Sequence, residues 1–238
     1  MKFFSKAVTS CLLGIILCLP GTSFAYNFLQ LGASGGVFDG VDNIYAVDPV
    51  FDLYALVDPT KTNKYVDGNT YYISAALVGP NIVQGDPSSF NFGSFLFDGT
   101  EYQVTADMQW GTPPVEEADN LGPHSVFPTY FIEFSFDFGG TGEPDADHVV
   151  PHNTQDNPGG YTLTGGSDYL LGKAFNVDVS NLAPYYSLHF DLYTTDGDGL
   201  QYFAPFSHDV DTSPVPEPAT LLLFGAGILG LGFLKRKK

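Results

Sequence analysis

Four side chains within eight positions, Asp145, Asp147, His148 and His152, are of types that hold cations, and Glu143 and Asp156 flank them. Carboxylates together with loop carbonyls suit Ca2+. Zn2+ asks for imidazoles on a fixed scaffold with an orienting outer shell. His148 and His152 would share a face only on a helix, which Pro151 opposes. Composition reads the segment first as a solvated acidic loop, with calcium at Asp145 and Asp147 as the alternative. Asp196-Gly197-Asp198-Gly199 opens like a calcium loop, but Ser207 stands where the twelfth-position Glu of that motif belongs. Between two patterned runs it reads as a hairpin turn, and Asp196 and Asp198 remain calcium candidates. Asp209 and Asp211 precede the C-terminal tail and read as solvating a short stalk.

Nucleophilic chemistry has little support. There is no Gly-x-Ser-x-Gly elbow, and Gly165-Gly166-Ser167-Asp168 is a turn by composition. His124, His189 and His208 have no spacing that builds a triad. His189 and Asp191 lie two apart on one strand, hence on one side, and read as a surface pair. Glu133 and Asp137 share a strand face about 13 Å apart by strand rise, beyond the roughly 5–9.5 Å that glycoside hydrolysis uses. Glu133 with an acid on a neighbouring strand keeps a hydrolase as the weakest alternative. Tyr71-Tyr72 and Tyr185-Tyr186 each place a ring on either strand face, where a sugar could stack, although strands favour Tyr anyway. The residues therefore predict no catalytic group and no cofactor, calcium aside.

The elements that would position these groups are strands. Tyr130, Ile132, Phe134, Phe136 and Phe138 alternate with polar positions over Thr129–Phe138, apart from Phe131, and Tyr185–Tyr193, Lys173–Ser180 and Glu101–Trp110 behave alike. Such period-two patterning predicts antiparallel strands with one apolar and one wet face. Val50–Val57, Thr70–Val78 and Asn91–Phe97 are denser in apolar residues. Asp98-Gly99 predicts a tight hairpin between Phe92–Phe97 and Thr100–Met108. Val115–Leu121 offers at most one or two helical turns, and Gly139–Gly160 reads as a long surface loop. Eight or nine such strands predict one all-β domain, an antiparallel β-sandwich of jelly-roll type, over residues 26–211.

The chain of 238 residues carries 27 acidic against 9 basic side chains, for a net charge of −18. Six of the basic residues sit at the two ends, leaving Lys61, Lys64 and Lys173 against 26 acidic residues in the body. Clustered cations are what phosphate binding needs, so nucleic acid is excluded as a partner. At the N-terminus Lys2 and Lys6 precede an apolar run, Cys11 to Leu19, then Pro20-Gly21 and Ser23-Phe24-Ala25. That order predicts a signal peptide over 1–25, cleaved after Ala25 by signal peptidase. Both cysteines, Cys11 and Cys18, would leave with it, so the mature body has no disulfide.

At the C-terminus Pro216-Glu217-Pro218 precedes the apolar stretch Leu221–Leu234 and a basic end, Lys235-Arg236-Lys237-Lys238. Fourteen helical residues reach about 21 Å, short of the roughly 30 Å hydrocarbon core, which suits a transient inner-membrane anchor through 221–234. This three-part tail (212–238) resembles the PEP-CTERM sorting signal of Gram-negative bacteria. The resemblance implies that an exosortase reads Pro216, Glu217 and Pro218 and processes the tail during export. Three body segments, Thr70–Leu77, Gly122–Tyr130 and Phe203–Asp209, are similar to the choice-of-anchor group of bacterial surface proteins, for which no activity follows. Together these readings predict an exported surface or matrix protein without catalysis. The alternative is a calcium-dependent or carbohydrate-binding module acting with exopolysaccharide.

Overall fold

The computed structural model describes residues 28–41, 43–61, 68–85, 92–117, 126–139, 146–196, 199–205 and 208–213. The expected signal peptide with Ala25, and the tail with Pro216, Glu217 and Pro218, lie outside the described residues. Among the described residues no helix is long and apolar enough to cross a membrane.

The described residues are almost wholly β, as the alternating patterns require. Its strands are β1 (Leu29–Ala33), β2 (Val37–Phe38), β3 (Asn43–Ala46), β4 (Val50–Val57), β5 (Tyr71–Val78), β6 (Ser94–Phe97) and β7 (Thr100–Gln103). They continue with β8 (Gln109–Gly111), β9 (Thr129–Phe136), β10 (Asp147–Val149), β11 (Leu170–Asp178), β12 (Ser187–Asp196), β13 (Gly199–Phe203) and β14 (Asp209–Thr212). A 3-10 turn, Pro114–Glu117, follows β8.

Two sheets form. The first runs β1-β4-β11-β6-β7, with β10 against the other half of the β11 edge that β6 uses. The second runs β2-β3-β14-β12-β5-β9-β8, with β13 beside the last residues of β12. Every pairing is antiparallel except β14 with β3, which is parallel. One apolar cluster joins the sheets: Leu31 of β1, Leu53 of β4 and Val177 of β11 meet Ile73 of β5 and Leu188, Phe190 and Leu192 of β12. Rings cross the seam, with Phe97 and Phe134 stacked at 3.9 Å and Phe136 edge-on to Phe175 at 5.0 Å. Each such ring contributes about 1.5–3 kcal/mol by leaving water.

Phe97 faces Thr100 across the β6–β7 turn, so Asp98-Gly99 is a two-residue connection. Both residues have positive φ, +49° and +75°, the backbone that matches the twist of the flanking strands. The run Glu101–Trp110, expected as one strand, divides. β7 ends at Gln103, a turn with Thr105 at φ +70° follows, and β8 resumes in the other sheet. Val104 and Met108 are both buried in the core, but the alternation breaks between them, where Thr105 is buried and Ala106 exposed. The stretch expected as a loose loop is fastened where it is described. β10 pairs with β11, Ala33 donates to the Pro158 carbonyl at 3.0 Å, and the Gln30 carboxamide holds Thr154 and His152.

Candidate functional site

The site begins with the alternation of β12. Leu188, Phe190 and Leu192 fill the inter-sheet core, so Ser187, His189, Asp191 and Tyr193 point to the other side of the second sheet. That side was expected to be wet. It is buried instead: His189 is 2% exposed and Asp191 0%. Register explains part of this. Ala76 lies beside His189 and Ser74 beside Asp191 on β5, and Glu133 of β9 lies beyond Ser74. The Pro114–Glu117 turn packs against β12 and β13, and its Val115 is buried without joining the inter-sheet core. Tyr193 stacks on Tyr72 and donates its hydroxyl to Glu133.

The other half of the site comes from residues expected to form a stalk. β14 instead lies inside the sheet, between β12 and β3, because Val210 fits the core opposite Phe190. With Val210 inward, Asp209 and Asp211 turn to the same face as His189, and Asp211 is the register partner of His189. Asp209 is 1% exposed.

The resulting geometry is tight. His189 Nδ1 lies 2.7 Å from Asp211 Oδ1, and Nε2 lies 3.1 Å from Asp191 Oδ1. Ser74 donates its hydroxyl to Asp191 Oδ2 at 2.8 Å. One ligand atom each from His189, Asp191 and Asp209 falls within 4.8 Å of the others. Burial alone would strip the proton from His189. The Asp191 and Asp211 carboxylates, as charges and as acceptors, outweigh burial and hold its pKa well above 6.5.

This arrangement is not acyl-transfer machinery. A nucleophilic serine gives its proton to an imidazole, whereas Ser74 gives its hydrogen bond to a carboxylate. Both nitrogens of His189 are occupied by carboxylates. The donor set, one imidazole nitrogen and carboxylate oxygens, is instead one that holds a divalent metal. Beside it, His208 is buried and its Nε2 reaches Asn153 Oδ1 at 2.9 Å. Burial pushes the His208 pKa down to about 4 in spite of the nearby Asp156 charge.

The other candidates are dispersed. Asp147 opens β10 exposed and accepts from the Tyr161 hydroxyl at 2.6 Å. His148 stacks on Tyr169 at 3.9 Å, and His152 Nδ1 turns back to the Val150 carbonyl at 3.0 Å. Asp145, Glu143, His124 and Asp198 lie outside the described residues, and Asp196 is the last residue of β12, paired with Gly199. Tyr71 is buried, Tyr185 is exposed, and Tyr186 donates to the Pro80 carbonyl, so the two tyrosine pairs build no common platform. Sequence reasoning noticed both i, i+2 pairs, His189/Asp191 and Asp209/Asp211. It lacked the register that sets one pair against the other.

Comparison with known proteins bears on the tail. Residues 214–237 match the PEP-CTERM protein-sorting motif. No curated protein matches the chain. A solved structure described as "pH-induced modulation of Streptococcus parasanguinis adhesion by Fap1 fimbriae" aligns over 80% of this chain and 98% of its own at 11% identity. Its TM-score of 0.21 is too low to carry an argument.

Proposed function

We propose that this chain, which carries the PEP-CTERM sorting motif over residues 214–237, works as a non-catalytic surface or matrix protein. The motif itself makes it an exosortase-targeted protein exported across the inner membrane. The finer reading is a jelly-roll-like sandwich that signal peptidase frees after Ala25. It then rests transiently in the inner membrane through 221–234 until the tail is processed. A body with 26 acidic residues and three lysines stays soluble and repels polyanions and anionic membranes. In this reading the hydrogen bonds of Ser74 to Asp191 and of Tyr193 to Glu133 are structural ties across the second sheet.

The sorting motif is the observation that carries this reading. Replacing Pro216, Glu217 and Pro218 by alanine is expected to leave a longer precursor in the inner-membrane fraction, read by fractionation and intact mass. Unchanged processing and location in that variant would overturn it. A culture supernatant or surface fraction with hydrolytic activity that tracks this chain would overturn the non-catalytic part.

A further inference from the structure

We infer that His189, Asp191 and Asp209 form a buried binding site for a divalent transition-metal ion, with Asp211 orienting the imidazole. Three observations converge. The first is placement: ligand atoms from two adjacent strands approach within 4.8 Å, a spacing that a modest side-chain movement contracts onto one ion. Regular strands hold such groups more firmly than the acidic loops do.

The second is orientation. Metal-bound histidines ordinarily donate their other ring nitrogen to a carboxylate, which fixes the ring and makes it a better ligand. Asp211 Oδ1 sits 2.7 Å from Nδ1 of His189, leaving Nε2 on the side of Asp191. Asp211 is the most exposed of the four, its side chain 19% accessible, as suits an outer partner.

The third is charge. Three carboxyl groups surround one imidazole in a region where Asp191 and Asp209 are at most 1% exposed. Buried charge in a medium of low dielectric demands compensation. No arginine precedes Arg236. The described lysines are engaged elsewhere, Lys61 near Asp58 and Lys173 on the Asp137 carbonyl. A dication held by Nε2, Asp191 and Asp209 brings two positive charges to this acidic cluster, and a proton on Nε2 leaves to solvent as the ion binds. The mixed nitrogen and oxygen donors favour Zn2+ or Mn2+ over Ca2+, which prefers an all-oxygen cage.

The test uses the full chain purified in detergent, stripped with chelator, then titrated with ZnCl2, MnCl2 and CaCl2. Calorimetry and thermal melting are the readouts. The expected result is one Zn2+ or Mn2+ per chain with a rise in Tm. Asp209→Asn should abolish the binding, and Asp211→Asn should weaken it about 10–100-fold. Asp147→Asn, at the exposed start of β10, should leave it unchanged. If Asp209→Asn fails to fold, Asp211→Asn carries the decision. Wild-type protein that binds neither Zn2+ nor Mn2+ overturns the site, as does binding that survives Asp211→Asn at full affinity. Tighter binding of Ca2+ than of both transition ions overturns the assignment of metal class.

Discussion

Burial acts on the two histidines around β14 with opposite results: carboxylates bonded to His189 outweigh it, whereas at His208 it outweighs the nearby Asp156 charge. Asp191 and Asp211 hold the His189 pKa up, while His208, facing the Asn153 carboxamide, has its pKa taken down to about 4 by burial. Below the ordinary 6.5 and above 4 the unfolded chain therefore binds a proton at His208 that the folded chain refuses. Stability should fall as pH drops through that window. In melts of the chelator-treated chain from pH 7 to 4, His208→Gln is expected to show a shallower decline in Tm than wild type, and parallel curves would contradict this. Ser74 makes a second point at this scale. Its hydroxyl supports a buried carboxylate, so Ser74→Ala should cost about 1–3 kcal/mol in urea denaturation. A cost near zero would mean that Asp191 is held without it.

Among the elements, the β6–β7 hairpin and β14 were legible to different degrees. The hairpin is local: Asp98-Gly99 names its own turn, since few residues accept two successive positive φ values. Gly99→Val should destabilise by about 1–2 kcal/mol through the left-handed backbone penalty. Far-UV spectra should be otherwise unchanged. β14 is not local. Four residues with two aspartates look like solvated chain until Val210 finds Phe190 and Thr212 Oγ1 accepts the Leu188 amide at 2.8 Å. The division of Glu101–Trp110 between two sheets has the same origin. Val104 and Met108 reach one core from the turn between the two strands, and the alternation fails within that turn at Thr105 and Ala106.

At the scale of the whole molecule the acidic excess dominates. A body with 26 acidic residues and three lysines repels itself, and the repulsion is long-ranged at low salt, where the screening length is about 30 Å at 0.01 M. Raising NaCl from 10 to about 300 mM should raise Tm in the metal-free chain, and a flat response would show that the surface charges are already compensated. The seam between the sheets sets the other large term. Phe97 lies between Phe134 and Phe175, so Phe97→Ala should cost about 3–5 kcal/mol, measured as a lowered urea midpoint with unchanged slope.

The all-β class, the β6–β7 turn, the inward faces of β11 and β12 and the sorting tail were all readable from the chain, because each rests on neighbours within a few residues. The candidate site was not. Its pairs, His189/Asp191 and Asp209/Asp211, are visible as spacings, but their meeting depends on strand register, and their burial depends on what covers the outer side of the second sheet. Patterning cannot tell a wet polar face from a buried polar face, since both alternate with the same period. Only the tertiary structure put His189, Asp191 and Asp209 together out of water, with Asp211 at their edge, by packing Val210 into a core built from strands far away in sequence.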